Sequence, residues 1–153
     1  MNEILGRVRD YLLSRQSSAD FEPKSLGAAL TRVFILDIER APGLAAPRLR
    51  IRLKGSELDV AFGRPLVGQY LESFIHGPRG DEVIRGFHDC ANDRQPLWMR
   101  QVVQLKDRAP RFVEGIVVYL AAERIYGALF VGTGALDLKS SFERRPLTLE
   151  TQR

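Results

Sequence analysis

Along residues 2–15 the apolar positions Ile4, Leu5, Val8, Tyr11 and Leu12 recur at one- and three-residue steps that gather them on one face of a helix. Asn2 stands where an N-cap belongs. Ser17-Ser18-Ala19-Asp20 breaks the pattern and reads as a polar connector. Pro23 suits the first turn of a second, short helix reaching Leu30. Thr31 to Glu39 is β-branched and apolar, as a buried strand is. Ala41 to Pro47, with two prolines and a glycine, is a loop.

The clearest pattern follows. From Arg48 to Lys54, Leu49, Ile51 and Leu53 alternate with Arg48, Arg50, Arg52 and Lys54, which places aliphatics on one face of a strand and four cations on the other. Such a stripe serves either as a surface for phosphate or an acidic partner, or as a solvated face paired with Asp37 or Glu39 on the preceding strand. The second use is the commoner one for charged strands. Gly55-Ser56 opens a short helix through Ala61, closed by Gly63, and Leu66 to Ile75 holds another helical piece. After the turn Gly77-Pro78-Arg79-Gly80, Asp81 caps a longer helix to about Asn92, with Val83, Ile84 and Phe87 on one side.

Three long strands complete the chain: Leu97–Lys106, Arg111–Ala121 and Ile125–Leu136. The short breaks Asp107–Pro110 and Ala122–Arg124 join them into an antiparallel meander. The pattern predicts an α+β domain, a five-stranded antiparallel sheet covered on one face by helices, with an N-terminal amphipathic helix. Residues 1–18 form that helix and its connector, 19–138 the domain, and 139–153 a polar tail, loose or swapped onto a partner.

Composition narrows the classes. With 153 residues, 44% hydrophobic and 27% charged, the chain can bury a core without disulfides or metals. A single cysteine, Cys90, forms no internal disulfide, which favours a reducing compartment. No secretory pattern and no bilayer-length apolar run is present, so a cytoplasmic protein with no membrane partner is expected. The net charge of +4 would suit nucleic acid. However, the arginines are interspersed with carboxylates and no aromatic-studded basic tract occurs, so nucleic acid is not the expected partner.

One resemblance goes beyond topology. Asp37-Ile38-Glu39 ends an apolar strand, and Arg48 to Leu53 is the arginine-alternating strand. Gly55, Phe62-Gly63-Arg64 and Gly68-Gln69-Tyr70-Leu71 follow in order, and Gly134-Ala135-Leu136 ends the last strand. Over residues 21–138 this resembles a compact bacterial family of PAS sensory domains. The resemblance implies a sensor or adaptor that carries a ligand cavity between helices and sheet. It implies output through contact with another protein. The helical wall of that cavity would come from Phe62, Tyr70, Phe74 and Phe87. Its sheet wall would come from Trp98, Val102, Ile116 and Phe130 or from the alternate set. Such walls suit a small, largely apolar ligand.

The chemistry that is missing points the same way. No phosphate-binding glycine loop, metalloprotease helix or nucleophile elbow occurs, so no enzyme, metal or cofactor is expected. The flavin photosensor motif is absent around Cys90. His88 lies on the long helix where haem-binding members carry an axial ligand, but a lone histidine is commonly a satisfied polar residue. His88 and Cys90 are two apart on one helix and point away from each other. Glu114, inside an apolar strand, is the one carboxylate that would suit a cone-shaped cyclase or isomerase if it faced inward. A ligand-free interaction domain is the third reading. The stripe Ile4, Val8, Tyr11 and Leu12 wants burial, and a homodimer built on it is the expectation.

Overall fold

The computed structural model describes residues 1–15, 21–75, 77–103, 111–132 and 143–147. Helix α1 (Glu3–Leu13) starts where Asn2 predicts, with Asn2 Oδ1 accepting the Ile4 N–H at 2.9 Å. A 3-10 stretch (Pro23–Arg32) leads into β1 (Val33–Glu39) and β2 (Arg48–Lys54). Three helices follow, α2 (Ser56–Phe62), α3 (Leu71–Phe74) and α4 (Gly77–Asp93). The strands β3 (Leu97–Val103), β4 (Arg111–Tyr119), β5 (Arg124–Gly132) and β6 (Glu143–Pro146) close the order. The α+β class holds, with the long helix beginning at Gly77 instead of Asp81. Asp107–Pro110 and Gly134-Ala135-Leu136 lie outside the described residues.

The sheet has six strands, not five, in the order β2-β1-β5-β4-β3-β6 with every pairing antiparallel. The sixth comes from the segment expected to be loose. Residues 143–146 pair with β3 from Leu97↔Pro146 to Arg100↔Glu143, and Leu147 is buried with its N–H donated to Pro96 O. Arg145 lies over the Trp98 ring, 4.4 Å from its centroid, and Arg144 pairs with Asp89 on α4. Aromatic stacking and an ion pair hold this short strand onto the edge of β3.

Helices cover both faces of the sheet, not one. On one face α2, α3 and α4 bury Phe34, Leu36, Ile51, Leu97, Met99 and Val113. On the other, α1 and the 3-10 stretch pack on Val33, Ile35, Ile116, Val118, Tyr126 and Ala128. Leu5, Val8 and Leu12 are 0% exposed there, while Ile4 and Tyr11 flank them partly buried. The burial that the N-terminal stripe demands is therefore met within the chain, so association of two copies is not needed to satisfy it.

The β4–β5 hairpin turns through Ala122 and Glu123, both at φ +56°. This left-handed conformation is costly for non-glycine residues. Glu123 is held there from three sides. Its carbonyl accepts the Ile38 N–H at 2.8 Å, and its carboxylate accepts Arg40 Nε at 2.6 Å and the Tyr119 hydroxyl at 3.1 Å. The Arg40 hydrogen bond leads the causes that hold the Glu123 carboxyl below its ordinary pKa. Arg40 also bonds Asn92 Oδ1 and Ala91 O, so one guanidinium ties the end of β1 to the hairpin and to the end of α4.

Ala122 has no such ties, and Ala122→Gly should raise stability by about 0.5–1 kcal/mol, since the relieved strain exceeds the added chain entropy. A urea denaturation curve with an unchanged slope and a higher midpoint is the expected result; an unchanged midpoint would refute the strain. Removing residues 1–15 should uncover Val33, Ile35, Ile116 and Val118. The product should be poorly folded or aggregated, as circular dichroism and light scattering would register, whereas a stable soluble monomer would mean α1 is dispensable.

Candidate functional site

A cavity of about 40 Å³ lies between the sheet and the helices α2, α3 and α4. Three of the aromatics predicted for its helical wall are present: Phe62 from α2, Phe74 from α3 and Phe87 from α4. Leu58, Leu66, Leu71, Ile75 and Val83 complete that side. The sheet wall is the alternate set. Phe34 and Leu36 of β1, Ile51 and Lys54 of β2, Gln101 of β3, Val113 of β4 and Leu129 of β5 line it.

Trp98, Ile116 and Phe130 stand on the opposite face, against the α1 cluster, and Val102 shares their side of the pleat. They are not cavity residues. Tyr70 is also elsewhere. It sits outside β2, where residues 68–70 run along the strand: Ile51 N–H donates to Gln69 O and Gly68 N–H to Ile51 O, both at 2.8 Å. The Tyr70 hydroxyl donates to Glu39 Oε2 at 2.6 Å, and Arg48 lies 3.7 Å from the ring centroid. The Glu39 hydrogen bond leads the causes that raise the Tyr70 pKa. Tyr70 thus shields the edge of β2.

Two glycines give the cavity its floor. A Cβ on Gly115 would stand 2.6 Å from Leu129 Cδ2, and one on Gly127 would strike the Phe34 ring. The bare backbone lets Leu129 and Phe34 lie flat against the sheet and leaves space above them. Gly55, by contrast, is needed for close approach: it has φ −73°, and a Cβ would collide with the Thr31 backbone. Gly63, at φ +68°, closes α2 as the left-handed residue that the sequence predicts.

A β-bulge alters the chemistry of β2. The register runs Leu36↔Ile51, then Ile35↔Leu53 and Phe34↔Lys54, so Arg52 is an extra residue and the alternation reverses beyond it. Leu53 turns to the outer face, 42% exposed, and Lys54 turns inward to the cavity wall, its side chain 17% exposed. There it pairs with Asp59 of α2. The predicted cationic stripe is therefore three arginines long, and acids answer it. Arg50 reaches Glu39 at 3.9 Å, and Asp37 is shared by Arg52 at 3.4 Å and Arg124 at 3.1 Å. Being largely exposed, these pairs contribute little individually, about 0–1 kcal/mol each, and neutralise the face more than they stabilise it.

Gln101 is the residue sequence reasoning missed. It shares its side of β3 with Leu97 and Met99, is 6% exposed, and its Oε1 is buried without a hydrogen-bond partner among the described residues. A polar residue at an apolar parity of the strand was the available signal.

The remaining candidates lie away from the cavity. His88 Nε2 is 3.1 Å from Glu72 Oε1, and the same carboxylate accepts the Leu49 N–H at 3.0 Å. Both residues border a separate open hollow of about 320 Å³ with Asp81 and Arg85. His88 therefore does not face the cavity as a haem ligand would. Glu114 lies on the α1 face, where Oε1 accepts the Asn2 N–H at 3.1 Å and the Trp98 indole N–H at 3.0 Å. It helps seat the start of α1, away from the cavity. Among the described residues no cluster of three His, Cys, Asp or Glu side chains could hold a metal ion, and no helix is long and apolar enough to cross a membrane.

Cys90 is buried, and burial pushes its thiol up to about 12. Above pH 9 the unfolded thiol ionises while the folded one keeps its proton, so stability should fall with rising pH, by up to about 1.4 kcal/mol per unit, until about pH 12. The difference in denaturation midpoints between the protein and Cys90→Ala, followed from pH 8 to 10.5, should show this slope; parallel curves would exclude it. Gly115→Ala should push Leu129 into the cavity and close it while leaving the fold intact. Methyl NMR under xenon pressure would show no gas-induced shift at Leu129 in the variant. An undiminished shift would overturn this account of the floor.

Compared with known proteins, the chain matches no family model and no curated protein.

Proposed function

We propose that this chain is a PAS-type sensory or adaptor domain that takes a small, largely apolar molecule into the cavity between its helices and its sheet and signals by contact with a partner protein. The observation that carries the reading is the position of the cavity: a mostly hydrocarbon space roofed by Phe62, Phe74 and Phe87, in the layer where the sequence resemblance puts a ligand. The element order agrees, with two strands, short helices, a long helix and a three-stranded meander.

The small volume gives the proposal its mechanism. About 40 Å³ holds an ordered water but falls well short of the roughly 150 Å³ that admits benzene. Any larger occupant must move a wall, so it binds the expanded state better than the contracted one and shifts the population between them. The most easily displaced wall is α3, a four-residue helix. The opposite wall connects to the other side of the molecule. Leu129 and Phe34 rest on β4 and β5, whose far faces carry Ile116 and Ala128 under α1. A sheet flexed by an occupant would alter the docking of α1, and a partner that reads α1 would sense it.

The same small volume favours a second reading, a ligand-free interaction domain whose core is nearly filled. The isomerase reading loses its central carboxylate, since Glu114 faces α1. Native mass spectrometry of the purified protein separates the two that remain. A retained small molecule, lost from Gly115→Ala, is the expected outcome. A bare polypeptide mass, together with no probe entering the cavity, would establish the ligand-free reading.

A further inference from the structure

We infer that the occupant of the cavity is an uncharged molecule that donates a single hydrogen bond to Gln101 Oε1 and is otherwise hydrocarbon, an alcohol or a phenol in chemical class. This rests on the sensory reading and adds the chemistry of recognition.

The argument starts from the unpartnered oxygen. Gln101 is 6% exposed on the sheet face it shares with Leu97, Met99 and Val113, and its carbonyl oxygen has no hydrogen-bond partner among the described residues. A buried acceptor left unpaired is unfavourable, and such groups in folded proteins are almost always satisfied by protein, water or ligand. On the β4 side the backbone is engaged in the ladder that pairs Gln101 with Val113, and the pairing with β6 runs from Leu97 to Arg100. Water is a poor answer. A buried water makes two to four hydrogen bonds, and among the described residues the only other polar side chain on the lining, Lys54, is engaged with Asp59. A molecule with one donor and an apolar body satisfies the oxygen and fills the hydrocarbon space together.

Charge argues against an ionised ligand. An anion would meet the carbonyl dipole of Gln101 and a lysine whose charge Asp59 already balances. A cation would be desolvated against aromatic and aliphatic walls for one neutral acceptor. One neutral donor is what the site is built to read, and a site with a buried unpaired acceptor discriminates strongly against analogues that lack the donor.

The test compares three probes of similar size: 1-butanol, which donates a hydrogen bond, diethyl ether, which only accepts, and 1-chlorobutane, which does neither. Each is titrated into the intact protein while the Leu129 methyl resonances are followed by NMR. The expected result is binding of 1-butanol about tenfold tighter than the other two, the scale of one well-made hydrogen bond. Gln101→Leu should remove that preference while 1-chlorobutane still binds. Equal affinities for the three probes in the natural protein, or a preference for the ether, would overturn the inference and leave the cavity reading in place. No response to any probe would overturn the cavity reading itself. The comparison within the natural protein stands even if Gln101→Leu fails to fold.

Discussion

The structure depends on β1 lying against β5. These strands are some ninety residues apart in sequence, and their pairing from Val33↔Ala128 to Asp37↔Arg124 joins the first hairpin to the C-terminal meander. The join works because Gly127 has no side chain. The Phe34 ring occupies the place a Cβ would take, so β1 can settle flat on β5 while its aromatic still faces the helices. Arg124 and Asp37 close the end of the pairing at 3.1 Å. Without this seam the sheet would part into a two-stranded ribbon, β1 with β2, too narrow to bury a face, and a four-stranded piece, and Phe34, Leu36 and Ile51 would lose their place beside the meander.

Once the seam exists, the two faces differ in character. The α1 face is packed, with fully buried aliphatics and with Glu114 taking up the free N–H at the start of the helix. The α2–α4 face is made of larger pieces, four phenylalanines among them, that interdigitate less completely over two glycines. Imperfect packing costs stability, so a cavity kept beside an unpaired amide oxygen is a place where packing has been given up.

The sequence made some of this legible and hid the rest for identifiable reasons. Period-two alternation exposed β2, and capping chemistry located α1 and α2, because these signals are local: Asn2, Gly55 and Gly63 act within a few residues of themselves. The inward face of β3, β4 and β5 was not legible. Both faces are covered by helices, so Trp98 and Met99, or Ile116 and Val117, are equally apolar and parity carries no information. The destination of α1 was hidden too, since an amphipathic stripe asks for burial without naming the surface that supplies it. Tyr70 was misplaced because an aromatic near a core can also cap an edge, and only the hydroxyl contact with Glu39 distinguishes the two.

The bulge at Arg52 acts on the strand as an inserted base acts on a reading frame. Upstream of it, side chains alternate as the sequence pattern reads; downstream, every position is translated onto the opposite side. Only Leu53 and Lys54 lie downstream, so the frameshift is short, and its yield is a single cation delivered into an interior that the alternating pattern assigns to leucine. Comparing related chains position by position across this point would therefore mislead wherever one of them lacks the extra residue. Lysine would be aligned with lysine while the two pointed in opposite directions.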